Sequence, residues 1–308
     1  MCKISIIIPH YNAINTLISL LDSIDDNKEI QTIVVDDKSD QHPKDFLPKR
    51  YLNQITLIDN ETDKKGAGVC RNIGLEHACG DWVLFADADD FFVDGFYEVV
   101  QNYFDSNLDI VYFKSMSMNI ETKEKSIRNA YIDKIIDTYL EKKDHEAELV
   151  LRYRISVPWA KLINRNFIEE HQIRFDEVIA SNDVMFSTKV GYYMENFAVS
   201  NERIYCVTRN QGNLTMKKSE ALFDSRFGVF IERCKFLQQR LTKKEFSVLR
   251  LAGFNWIIVA LSYKLGLRKA IEVYSKLREN KIKLFGLRYF DPVYQIKKLI
   301  YYWRYYHS

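Results

Sequence analysis

Three carboxylates, Asp87, Asp89 and Asp90, follow directly on the apolar run Trp82-Val83-Leu84-Phe85. Such a run, aromatic and β-branched, reads as a buried strand. Like charges crowded at a strand end raise one another's pKa, and a divalent cation is the usual relief. Asp87 and Asp89 are two positions apart, so in extended geometry they point to the same side. Carboxylate oxygens suit Mg²⁺ or Mn²⁺, ions that commonly link a protein carboxylate to a diphosphate. The alternative is a solvated acidic turn ahead of the next helix.

The elements that must position these acids alternate. Lys3 to Ile8 reads as a strand covered on both faces, and Pro9-His10-Tyr11-Asn12 ends it. A helix follows with Ile14, Leu17, Ile18, Leu21 and Ile24 on one face, Asn12 or Asn15 being its expected cap. Ile30–Val35 is a second strand ending in Asp36-Asp37, and Ile55–Ile58 a third. Gly66-Ala67-Gly68 opens a helix that carries Arg71 and Asn72, and Gly80 closes it. The pattern predicts an α/β fold with a mostly parallel sheet, and such sheets bind ligands beyond the carboxyl ends of their strands. Tyr11, Asp37, Arg71, Asp87 and Asp89 all fall there. Together they offer an aromatic to stack on a base, a carboxylate for a base N–H, a guanidinium for phosphate and acids for a bridging metal. Each also has a structural reading as a core-edge aromatic, a cap, a solvated helix residue or a turn. Gly66 and Gly68 lack the spacing of a dinucleotide fingerprint.

Four stretches in order, Ile6-Ile7-Ile8-Pro9-His10-Tyr11-Asn12, Val34-Val35-Asp36-Asp37-Lys38-Ser39, Gly68-Val69-Cys70-Arg71-Asn72-Ile73-Gly74 and Phe85-Ala86-Asp87-Ala88-Asp89-Asp90, resemble successive blocks of the family 2 glycosyltransferases, of the kind that build bacterial surface polysaccharides. The resemblance runs from about Lys3 to about Thr215 and implies an inverting enzyme of the GT-A fold. It implies that Pro9, Tyr11 and Asp37 line the base pocket, that Asn12 belongs to the nucleotide-sugar site and that Arg71 lies near base and diphosphate. It implies further that Asp87 and Ala88 contact the nucleotide sugar, and that Asp89, with Asp87, holds Mn²⁺ or Mg²⁺. Position 38, often glycine in the family, is Lys here.

Farther on, Ser156-Val157-Pro158-Trp159-Ala160-Lys161-Leu162 resembles the family's tryptophan block, so Trp159 is either a wall for the acceptor sugar or a core residue. Ala180-Ser181-Asn182-Asp183 sits where the family has an acidic pair opening a helix. The resemblance makes Asp183 the base that takes the acceptor proton. Asn182 stands where Glu is common, and helix capping is the alternative for this group. Arg209–Thr215 resembles a loop that closes over the diphosphate, with Arg209 against its charge and Gly212 as hinge.

Residues 1–216 are expected to form the GT-A domain, with a nucleotide-binding half (1–115) and an acceptor-binding half (116–216); residues 217–308 form a helical region. The tail from Lys281 is basic and aromatic, which suits an anionic membrane surface, packing onto the domain or a homodimer contact. Five cysteines without CxxC spacing read as reduced thiols, and no signal peptide is evident at the N-terminus. The expected location is the cytoplasm, with peripheral contact at the inner face of the membrane. A net charge of +2 over 308 residues makes no global case for nucleic acid. The expected partners are a nucleotide sugar, UDP-hexose or UDP-N-acetylhexosamine, and a glycan or lipid-linked glycan acceptor. A sugar nucleotidyltransferase would want a Gly-rich basic loop near the first strand, where Pro9–Asn15 has none; a catalytically silent binding module of the same fold is the other alternative.

Overall fold

The computed structural model describes residues 2–209 and 218–285. The chain divides into two compact units, Met1–Asn210 and Gln211–Ser308. In the first, eight strands form one sheet: β1 (Ile4–His10), β2 (Ile30–Asp36), β3 (Ile55–Asp59), β4 (Trp82–Phe85), β5 (Phe91–Phe92), β6 (Ile110–Asn119), β7 (Lys161–Asn164) and β8 (Phe197–Arg209). Their order is β3-β2-β1-β4-β7-β6-β8-β5. β3, β2, β1 and β4 run parallel, whereas β7 pairs antiparallel with both β4 and β6.

β1 is nearly all isoleucine because both its faces are covered; Ile4, Ile6, Ile7 and Ile8 are fully buried. The helix Ile14–Asp22 buries Ile14, Leu17, Leu20 and Leu21 against the sheet. Its cap differs from expectation. Neither Asn12 nor Asn15 caps it; the N-cap is Ala13, whose N–H donates to His10 Nε2 at 3.1 Å. The other nitrogen of His10 meets Asp36 Oδ1 at 2.8 Å. That pattern requires the neutral imidazole with its proton on Nδ1. Burial lowers the His10 pKa and keeps the ring in this form, although Asp36 pulls the other way. Burial alone would raise the Asp36 carboxyl, but hydrogen bonds from Ser39 and His10 outweigh it and hold it below the usual range.

The backbone of the turn after β2 is one that favours glycine at position 38. Lys38 has φ 62°, the left-handed region that costs a side chain strain. Its Nζ donates to Thr62 O at 2.6 Å, a bond on the surface.

Among its described residues the second unit contains the helices Glu220–Arg240, Lys243–Val248, Phe254–Ser262 and Gly266–Glu279. They enclose a core of their own, with Phe223, Phe227, Ile231, Val273 and Leu277 buried and Trp256 packed on the two phenylalanines. Lys269 is buried among Glu220, Asp224 and Glu272, its Nζ 2.7 Å from Asp224. No helix among the described residues is long and apolar enough to cross a membrane. All five cysteines are free thiols. The aromatic-basic tail lies, from residue 286 on, outside the described residues.

Lys38→Gly is expected to stabilise the protein by about 0.5–1 kcal/mol in urea unfolding, since glycine adopts the required φ without strain. A loss of stability would show that the Thr62 contact outweighs the backbone term.

Candidate active site

The parallel register brings the carboxyl ends of β1, β2 and β4 level, with His10 opposite Asp36 and Ile7 opposite Phe85. Tyr11 follows β1 and is 54% exposed, with Lys65 Nζ 5.5 Å from its ring centre. Pro9 lies beside Val35 in the ladder. Asn12 is exposed, and its polar groups are engaged by the loop after β2. Its N–H donates to Ser39 Oγ at 2.9 Å, its Oδ1 accepts from Asp40 N–H at 2.8 Å, and its Nδ2 donates to Asp40 Oδ2 at 3.1 Å. It bolts the loop after β1 to the loop after β2, in a left-handed conformation (φ 49°) that asparagine tolerates. Asp37 is buried. Its Oδ1 accepts from Asn60 Nδ2 and its Oδ2 from the Gly66 N–H, each at 2.7 Å. Each oxygen keeps a second acceptor site, so the carboxylate is oriented without being consumed.

Arg71 is the centre of the arrangement. It rises from the helix Ala67–His77 and is 5% exposed. Its Nη2 donates to Asp87 Oδ1 at 2.5 Å and its Nη1 to Asn182 Oδ1 at 2.7 Å; its guanidinium lies 5.2 Å from the Phe175 ring centre. The buried Nε has no hydrogen-bond partner. Asn72, next along the helix, holds the Phe175 backbone from both sides, accepting from its N–H at 2.8 Å and donating to its carbonyl at 3.0 Å. Gly68 permits the close crossing: a Cβ there would sit 2.3 Å from Asp176 O and 2.8 Å from Asn182 Cβ.

The strand-end acids divide by role. Asp87 is one-third exposed and paired with Arg71, and its N–H donates to Tyr205 Oη at 2.8 Å. Ala88 is buried between Asp87 and Asp89. Burial and the charge of Asp87 raise the Asp89 carboxyl, against the opposing charge of Arg128. Asp90 is turned inward. Thr208 N–H donates to its Oδ1 at 2.7 Å, and burial, then Asp87 and Asp89, push its pKa well up. The residues fit a divalent cation, since Asp89 and Asp90 are disfavoured as anions by burial and by neighbouring carboxylates, and a cation reverses that. Asp87 and Asp89 are the pair able to hold it. The three acids do not converge as a three-ligand cage, so such an ion would complete its shell from a ligand's oxygens. The one triad of ligand atoms within 4.8 Å of one another among the described residues is Asp36, His42 and Asp59. There Asp36 already accepts from His10 and Ser39, and His42 Nε2 meets Asp59 at 2.7 Å.

Trp159 resolves toward the core. It is 5% exposed and stacks on Tyr205, ring centres 5.7 Å apart and 15° from parallel. It offers no open face to a sugar; it steadies the tyrosine that receives the Asp87 N–H.

The helix Asn182–Tyr193 begins at Ser181, which makes no side-chain cap. Asn182 is spent on Arg71, and Asp183 lies in the first turn, half-buried. Capping therefore does not account for this group. Burial raises the Asp183 carboxyl; Arg71 and Lys161 oppose the shift and Asp87 adds to it. Lys161 is itself buried, its Nζ donating to Ile155 O at 2.8 Å. Arg209 ends β8, and the rest of the expected closing loop, Gly212 included, falls at 210–217, outside the described residues.

Several residues here carried no advance signal. Tyr205 lies inside an ordinary apolar strand, and Arg128, whose Nη1 donates to Thr208 O at 2.7 Å, lies in a charged stretch without periodicity. Asn60 was readable, since it directly follows β3.

A sheet of this order with acids at the strand ends is the GT-A fold of nucleotide-sugar enzymes. The model of glycosyl transferase family 2 matches residues 5–171, and the chain belongs to that family. EpsH of Bacillus subtilis is 22% identical over 254 residues, which cover 79% of this chain and 71% of EpsH. The poly(ribitol-phosphate) beta-N-acetylglucosaminyltransferase TarS of Staphylococcus aureus is 25% identical over 221 residues, 69% of this chain but 36% of TarS. The crystal structure of TarS 1–349 with UDP-GlcNAc superposes with a TM-score of 0.67 at 19% identity, covering 90% of this chain and 80% of that one. The mannosyltransferase PcManGT of Pyrobaculum calidifontis, in complex with GDP-Man and Mn²⁺, gives 0.60 at 14% identity, covering 96% and 83%.

Gly68→Ala should cost about 1–3 kcal/mol of stability, because backbone rather than a mobile side chain stands in the way. Ligand-free thermal unfolding measures it, and an unchanged midpoint would mean that Asp176 and Asn182 yield freely.

Proposed function

We propose that the protein is an inverting glycosyltransferase. It moves a hexose or N-acetylhexosamine from a uridine-diphosphate donor to a hydroxyl of a glycan or lipid-linked glycan during cell-surface polysaccharide synthesis. The observation that carries this reading is the Arg71 bridge. One buried guanidinium ties the β4 acid Asp87 to the head of the helix that bears Asp183. It thereby couples the diphosphate end of a donor site to a carboxylate of raised proton affinity. The TarS structure with UDP-GlcNAc supports a uridine donor, and relatives named for poly(ribitol-phosphate) and teichoic acid support a surface-polymer setting.

In this reading Tyr11 stacks on the base and Asp37, held by Asn60 and Gly66, accepts from a base N–H. Asp89 and Asp87 would hold Mg²⁺ or Mn²⁺, which would supply positive charge against the leaving diphosphate. Asp183 takes the proton of the acceptor hydroxyl, whose oxygen bonds to the anomeric carbon as the bond to the diphosphate breaks. Attack from the opposite face gives a β-linked product from an α-linked donor. Arg209, the last residue of β8, lends charge to the diphosphate in this reading. Asn182, where an acid is common, accepts from Arg71 without adding a second negative charge beside the base.

Asp183→Asn should keep UDP binding within about two-fold and lower transfer by about 10³-fold or more, read as released UDP. Full activity would refute the base assignment. Because burial raises the Asp183 pKa, and the base must be ionised, the acid limb of kcat against pH should lie above the ordinary carboxylate range. Rate rises with pH across that limb; Arg71→Gln should move it higher still. Asp89→Ala should abolish the difference in donor affinity between manganese and chelator, measured by calorimetry. A difference that persists would remove the metal assignment.

A further inference from the structure

The net charge of +2 conceals a segregation. Residues 1–210 carry 24 Lys and Arg against 35 Asp and Glu, a formal charge of −11. Residues 211–308 carry 20 against 7, a charge of +13. Within this basic unit, four helices bury a core, yet the hairpin formed by Phe254–Ser262 and Gly266–Glu279 keeps large apolar side chains in solvent. Leu267 is 75% exposed and Ile271 65%, and both share one helix face with Tyr274 at i, i+4 and i+7. Ile258 and Leu261 on the preceding helix are also exposed. Basic residues accompany them: Lys264 and Arg268 are exposed, and Arg278 packs on Tyr274 with its Nη1 3.3 Å from the hydroxyl. Two of the acids close by are paired with lysines. Glu272 pairs with Lys269 and Lys276, and Asp224 with Lys269.

We propose that this hairpin face is a docking surface for an anionic phospholipid bilayer. Leu267, Ile271 and Ile258 enter the headgroup–acyl boundary, while Lys264, Arg268 and Arg278 meet lipid phosphates. Charge decides among occupants. A symmetric contact with the same unit of a second copy would set one +13 charge against another, and the apolar ridge contributes nothing to binding a soluble polyanion. An anionic interface rewards both features at once. The proposal does not depend on the sugar chemistry of the first unit.

Flotation of the full-length protein with vesicles tests it. Vesicles of phosphatidylcholine with phosphatidylglycerol should carry the protein up; phosphatidylcholine alone should carry roughly ten-fold less, and added salt should weaken the first. The double variant L267D/I271D should lose roughly ten-fold in flotation, and K264E/R268E a comparable amount. All four side chains are exposed, so helical circular dichroism and UDP binding should be unchanged in both variants. Wild-type flotation by both variants, or equal flotation with neutral vesicles, overturns the proposal. So does a dimer that L267D/I271D converts to monomer in light scattering, or capture by a soluble polyphosphate without any flotation. Flotation reads no transfer, so either result leaves the active-site assignment standing or falling on its own tests.

Discussion

A guanidinium buried without a partner is among the most costly groups a fold can carry, and Arg71 is buried. Its surroundings are arranged to meet that cost. Asp87 supplies charge, Asn182 a neutral acceptor and Phe175 an aromatic face. Each partner comes from a different part of the chain: a strand end, a helix start and the loop leading into that helix. Removing one member of such a cluster costs about 3–5 kcal/mol where the remaining charge stays buried. Satisfying one side chain thus fixes how the helix Ala67–His77, the end of β4 and the helix Asn182–Tyr193 meet. The Asn72 clamp on Phe175 and the missing side chain at Gly68 serve the same junction.

The choice of Asn at position 182 acquires a physical meaning from this junction. A carboxylate there would pair with Arg71, leaving two acids competing for one guanidinium. With an amide, Arg71 remains balanced by Asp87 alone, and its field still opposes the burial that raises Asp183. The departure from the family pattern is compatible with a working base beside it.

Much of this was legible in the residues because it obeys local rules. The isoleucine run of β1, the acids ending β2 and β4 and the glycines opening the Ala67–His77 helix announced a parallel sheet and the level at which ligands bind. What escaped was long-range. Asn12 looks like a helix cap, but its side chain is drawn to Asp40, while a buried histidine accepts from the N–H of Ala13, the N-cap residue. Nothing near Trp159 indicates that Tyr205, far along the chain, covers its ring. Side chains that work through another element leave no periodicity to read. Lys38 was visible as an oddity, and only the backbone angle gave it a cause.

The strand order carries a consequence for how the chain is made. β1, β2, β3 and β4 assemble within the first 85 residues, but the free edge of β4 is closed by β7, which begins at Lys161. During synthesis at a ribosome the half-sheet must therefore wait, with the backbone groups of Trp82–Phe85 unpaired along one side. The acids that follow immediately, Asp87, Asp89 and Asp90, place like charges at the tip of that open edge. Carboxylates at that place are suited to act as gatekeepers, discouraging two nascent chains from zipping together before the return strand arrives.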